Sequence, residues 1–127
     1  MVEASKQAAP FVTIDEPAAL EHLFAHSYNE PILIFKHSTT CPISAHAYRE
    51  MQRLDAGPAR HVHLVVVQTA RPVSNEIARR TGVRHESPQA IVLSRGEVAW
   101  TASHYDITAA EVERAVRANV PGARASE

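Results

Sequence analysis

The stretch Ile32-Leu33-Ile34-Phe35 is a continuous apolar run bounded by Asn29 to Pro31 before it and by a polar segment, His37-Ser38-Thr39-Thr40, after it. It is too short for a helix, and its branched residues suit a strand buried on both faces. Such a strand belongs at the centre of a sheet. A second run, Val62 to Val67, is nearly all apolar and β-branched and reads as another interior strand. Between the two, Ile43, Ala47, Met51 and Leu54 recur at spacings of three and four, while Arg49, Glu50, Gln52 and Arg53 fall on the side that faces water. Asp55-Ala56-Gly57-Pro58 stops that helix. The connection is long enough for a right-handed parallel crossover.

The remaining segments extend this unit at both ends. Asp15-Glu16-Pro17 predicts a helix start, and Leu20, Leu23 and Phe24 give the segment from Pro17 to about Ser27 one buried stripe. Pro72 starts a further helix with Ile77 and Ala78 inside, closed by Gly82. The loop from Thr81 to Ser87-Pro88 leads into Gln89-Ala90-Ile91-Val92-Leu93, and X-Pro is the only bond at which a cis peptide is cheap. Arg95-Gly96 predicts a tight turn joining that strand to Glu97–Ala102 as an antiparallel hairpin. Thr108 with Glu111 makes a capping box for a last helix whose apolar face is Val112, Ala115, Val116 and Ala118. Helix, strand, helix, strand, helix, hairpin, helix is the thioredoxin-like arrangement: an α/β fold with a central four-stranded mixed sheet flanked by helices. One domain over 1–127 is expected, with its core at about 12–120 and flexible arms at 1–10 and 121–127.

Composition removes several function classes. Lys and Arg total 13 against 14 Asp and Glu, so no overall field recommends nucleic acid or an anionic membrane as partner. No apolar stretch approaches membrane-spanning length, and Met1 to Lys6 lacks the apolar core of a signal peptide, so a cytoplasmic location is expected. Cys41 is the one cysteine. An intramolecular disulfide is therefore excluded, and any redox chemistry needs a second thiol from outside.

Cys41 sits where a strand feeds a short polar loop ending in Cys-Pro at a helix start. Unpaired backbone N–H groups converge there. Pro42 suits the first helical turn, where its missing donor has no partner in any case. Ser44, three residues on, shares a helix face with Cys41 and is placed to donate a hydrogen bond to the sulfur anion. His37, if protonated, adds positive charge. Together these should favour thiolate over thiol.

The segments Lys36-His37-Ser38-Thr39-Thr40-Cys41-Pro42-Ile43-Ser44, Gln68 to Asn75, His85-Glu86-Ser87-Pro88-Gln89, and Gly96 to Trp100 with Ala102-Ser103-His104 together resemble the YtxJ-like family of monothiol bacilliredoxins. The resemblance runs from about Ile32 to Val116. It implies that Cys41 is the active-site cysteine, that Ser44 occupies the place of a resolving cysteine, and that Ser87-Pro88 is a cis-proline loop beside the sulfur. The substrate it implies is a mixed disulfide between a client protein and bacillithiol. Bacillithiol would act as an external small-thiol co-reactant, and no metal is expected.

Around Cys41, the residues expected to meet substrate are His37, Thr40, Pro42, Arg71, Ser87 and Pro88. Thr40 would shape access to the sulfur, and Ser87 would align an extended partner chain. His37 and Arg71 are candidates for holding bacillithiol carboxylates, with Lys36 a weaker one because its strand position aims it elsewhere. A monomer acting on S-bacillithiolated proteins is expected. Three other readings are open: a [2Fe–2S] carrier in which Cys41 and an external thiol from each of two chains hold the cluster, a metal site at His37, Cys41 and His46, and a non-catalytic adaptor.

Overall fold

The computed structural model describes residues 8–55 and 60–121. Its first element is a strand absent from the sequence reading, β1 (Phe11–Thr13), which pairs in parallel with β3 (Val62–Val66) at Phe11↔Val62 and Thr13↔Leu64. Three residues carry too little periodicity to be read alone, and only the neighbouring strand makes them one. With β2 (Ile32–His37), β4 (Gln89–Ser94) and β5 (Glu97–Ser103), the sheet has five strands in the order β1-β3-β2-β4-β5. The mixed α/β architecture stands as expected, with one strand added. The arm is shorter than expected: Ala9 is buried and donates to the Leu54 carbonyl at 2.9 Å, and Ala8 bridges Asp55. The rest of that arm, the 122–127 part of the tail, and Ala56-Gly57-Pro58 of the helix stop lie outside the described residues.

β2 is central, parallel to β3 on one side and antiparallel to β4 on the other. All six of its residues are buried, which is why its sequence runs apolar without alternation. Alternation decides which helices each residue meets. Leu33 and Phe35 face α2 (Pro42–Gln52) and α4 (Ala109–Ala118), joining Ala47, Met51, Val112 and Val116 in one cluster. Ile32 and Ile34 face α1 (Ala19–His26) and α3 (Arg71–Thr81), joining Leu20, Leu23, Phe24, Val73 and Ile77 in the other. Phe35 and Met51 are fully buried, and truncation to Ala costs about 3–5 kcal/mol at Phe35 and about 2–5 kcal/mol at Met51.

Four local expectations shift. α1 begins at Ala19, because residues 16–18 form a turn of tighter bonds such as Ala19 N–H to the Glu16 carbonyl at 3.0 Å, and Asp15 caps nothing. The buried stripe of α2 is Ser44, Ala47 and Met51, with Ile43 only half-buried. Glu50 does not face open water: its Oε1 accepts from the Ala109 N–H at 2.9 Å and caps α4. Ala118 is exposed at the end of α4, whose buried face is Val112, Ala115 and Val116.

The Thr108 cap holds, its hydroxyl accepting from the Glu111 N–H at 3.2 Å. Arg95 and Gly96 have φ of 56° and 78°, the positive pair that a two-residue hairpin needs.

Candidate active site

Two loops meet at one end of the sheet, because β2 leaves where β4 arrives and Lys36 pairs with Gln89. The first loop, Ser38–Thr40, carries the chain from β2 to Cys41. Cys41 is extended (φ −107°, ψ 124°) and is the N-cap of α2, with its carbonyl accepting the first helical bond from the Ala45 N–H at 3.0 Å. Pro42 follows in the first helical turn, exposed as its missing donor allows. Cys41 is half-buried and free, and its side chain makes no capping hydrogen bond. The thiol is thus held at a helix start and remains within reach of a partner.

The Ser44 hydroxyl is buried and turned elsewhere. Its Oγ accepts from the Ser38 N–H at 2.9 Å and lies 2.7 Å from Nδ1 of His37. The expected bond from Ser44 to the Cys41 sulfur is replaced among the described residues by these two, which tie the loop to the helix. His37 is buried as well, packed 4.8 Å from the Tyr48 ring and 5.7 Å from Phe35, and desolvation holds its pKa below the ordinary value. That shift favours the neutral ring as the partner of Ser44, against the positive charge that a protonated His37 would add beside the sulfur. His46, the other histidine of the metal reading, lies against Tyr105 with ring centroids 5.6 Å apart.

Gln68 lies just beyond β3, and its sequence motif by itself gives it no role. Its amide grips all three loop residues: Oε1 accepts from the Thr39 N–H at 3.2 Å, and Nε2 donates to Ser38 Oγ at 2.8 Å and Thr40 Oγ1 at 3.3 Å. Thr40 is exposed immediately before Cys41.

The second loop ends in Ser87-Pro88, whose peptide bond is cis, with Pro88 buried. The Pro88 carbonyl accepts from the His104 N–H at 3.1 Å, joining this loop to the end of β5. Arg71 is exposed at the first turn of α3, and the pKa of His85, in the same loop as Pro88, is lowered chiefly by desolvation and further by the positive charges of Lys36 and Arg71. Beneath them Lys36 is fully buried, with Nζ 3.2 Å from Nδ1 of His85. The alternation that puts Lys36 on the face of Ile32 and Ile34 was the sequence signal for its burial. His85, in the motif before Ser87-Pro88, gains Lys36 as its partner only in three dimensions.

A family model described as monothiol bacilliredoxin BrxC matches residues 12–112. The chain belongs to the monothiol bacilliredoxin family. A solved structure described as a candidate oxidoreductase with a thioredoxin fold is 32% identical, covers 83% of this chain and 92% of its own, and superposes with a TM-score of 0.74. Thioredoxins from Nicotiana alata (16% identity, 93% and 99% coverage, TM-score 0.68) and Fasciola hepatica (13%, 84% and 97%, TM-score 0.65) share the fold. Family and fold together support a redox function for this bacilliredoxin-family chain. Among the described residues no helix is long and apolar enough to cross a membrane.

Proposed function

We propose that the protein is a monothiol thiol-disulfide oxidoreductase that removes bacillithiol from S-bacillithiolated client proteins. In the first step the Cys41 thiolate attacks the bacillithiol sulfur of the client's mixed disulfide. The Cys41–bacillithiol bond forms, the old S–S bond breaks, and the client leaves as a thiolate that takes up a proton. In the second, the thiolate of another bacillithiol attacks the bacillithiol sulfur bound to Cys41, releasing oxidised bacillithiol and regenerating the Cys41 thiolate. Overall the incoming bacillithiol is oxidised from thiol to disulfide as the client sulfur is reduced from disulfide to thiol, the first bacillithiol stays at the disulfide level, and Cys41 ends as it began.

One observation carries the reading: a solitary, half-exposed Cys41 at the head of α2, in a helix whose resolving position is a buried Ser44 engaged with His37 and Ser38. A chain built that way cannot resolve a mixed disulfide internally and depends on a small thiol. Thr40 and Pro42 supply exposed surface beside Cys41, the Ser87 backbone held by the cis bond to buried Pro88 aligns the client chain, and Arg71 supplies positive charge for the carboxylates of bacillithiol.

The test is mass spectrometry of the protein after separate incubation with oxidised bacillithiol, glutathione and coenzyme A. A bacillithiol adduct at Cys41 that free bacillithiol removes is the expected result. An adduct only with glutathione or coenzyme A would replace the substrate, and no adduct with any of the three would overturn the exchange reaction. Cys41→Ser should form none.

A further inference from the structure

Lys36 is the most deeply buried charged side chain among the described residues. It lies between Val65 of β3 and Gln89 of β4, on the face covered by α3, and is fully buried. Among the described residues it forms no ion pair with a carboxylate, and its described side-chain partner is Nδ1 of His85 at 3.2 Å. Burying an ammonium is costly, so its retention inside an apolar sheet points to a use. Desolvation lowers its pKa to about 8, which still leaves it mostly charged at pH 7.

An ammonium has only N–H donors, so Nδ1 of His85 must be the acceptor. The Ser74 hydroxyl of α3 lies 3.1 Å from the same nitrogen. The ring proton is thereby confined to Nε2, which has no hydrogen-bond partner among the described residues, on a residue that is exposed. Lys36 and Arg71 both oppose protonation of the ring electrostatically, with desolvation the larger cause and Glu86 acting in the opposite sense. His85 is two residues before Ser87-Pro88, at the end of the sheet where β2 runs out toward Cys41.

We infer that Lys36 is a positioning residue, which with Ser74 locks His85 as a neutral Nε2–H donor and fixes the loop before Pro88, so that this N–H meets an acceptor on the disulfide-bearing partner of Cys41. The inference rests on the exchange reaction proposed above and adds to it a specific donor with a buried cause. The histidine does not take the proton of the departing thiol; it holds the partner.

The test has a spectroscopic and a kinetic arm. Long-range proton–nitrogen correlation spectra of the whole protein at pH 7 should show Nδ1 of His85 unprotonated and Nε2 protonated. In Lys36→Met the ring should populate both tautomers and titrate at higher pH. Should that variant fold poorly, the wild-type spectrum still tests the lock, and Ser74→Ala, in which Lys36 still donates to Nδ1, should keep the Nε2–H tautomer. In the kinetic arm, His85→Ala should lower kcat/KM about tenfold toward a cysteine peptide carrying the cap that loads Cys41, the size expected for one lost hydrogen bond. His85→Gln, which keeps an N–H donor, should recover part of the loss, and alkylation of Cys41 by iodoacetamide should be unchanged in both. A protonated Nδ1 in the wild type, a tautomer indifferent to Lys36, or an unchanged kcat/KM in His85→Ala would each overturn the inference. A wild type that turns over no capped peptide would instead refute the exchange reaction, with the nitrogen spectrum still reporting on the lock.

Discussion

Nδ1 of His37 lies 2.7 Å from Oγ of Ser44, and that contact fixes the role of both side chains beside Cys41. Ser44 already accepts from the Ser38 N–H, so its own proton is free for the imidazole. The hydroxyl is thus a brace between β2, the loop and α2.

Ser44→Ala removes that brace and strands the buried Nδ1 of His37 and the Ser38 N–H. A loss of about 1–3 kcal/mol is expected, read from urea unfolding at pH 7. A variant as stable as the wild type would show that water replaces the hydroxyl without cost.

Gln68→Ala should act locally. Its side chain is exposed, so global stability should change by less than about 1 kcal/mol, but the Thr39 amide loses its acceptor. Faster hydrogen exchange at Thr39, with kcat/KM for disulfide exchange reduced severalfold, is the expected pair of results. Unchanged exchange at Thr39 would remove Gln68 from the site.

Lys36 makes stability depend on alkaline pH. Its pKa of about 8 in the fold lies below the ordinary 10.5, so between those values the unfolded chain holds the proton that the folded one has lost. Stability should therefore rise as pH climbs from about 8 to 10.5. Below that window the protein carries the full cost of the buried charge, about 3 kcal/mol. Lys36→Met should be more stable at pH 7 by about 1–3 kcal/mol and should flatten the alkaline rise. Thermal melts of the two proteins at pH 7 and pH 10 decide it.

At the acid end, His37, His63 and His85 all have pKa values lowered below 6.5, in each case chiefly by desolvation. The unfolded chain binds protons first as pH falls, so stability is full above about pH 6.5 and declines below it. Unfolding in urea at pH 5.5 and 7.5 should show the difference, and replacing His63, which bonds the Leu33 carbonyl at 3.1 Å, should alter it.

Gly96→Ala tests the hairpin. The φ of 78° disfavours any Cβ, and one built there would stand 2.5 Å from the Tyr28 hydroxyl. Because Tyr28 is exposed and can move, the backbone strain dominates, and a loss of about 1–2 kcal/mol in thermal or urea unfolding is expected.

The sequence alone determined what depends on local pattern. An apolar run with no alternation marked β2 as central, a proline in the first turn fixed where α2 starts, and the positive-φ pair Arg95-Gly96 fixed the hairpin; all three follow from neighbours within a few residues. The solitary Cys41 ahead of Pro42 was legible for the same reason.

Tertiary structure decided whatever depends on residues far apart in the chain. β1 exists because Phe11 meets Val62, and Glu50 leaves water because Ala109 offers it an unpaired N–H. The buried Ser44 hydroxyl meets His37 and the Ser38 N–H because the turn from β2 into α2 brings those polar groups to it, and the partner of Lys36 stands 49 positions away. Periodicity says which side of a strand is hidden; which donor meets which acceptor there is settled only when the sheet brings the segments together.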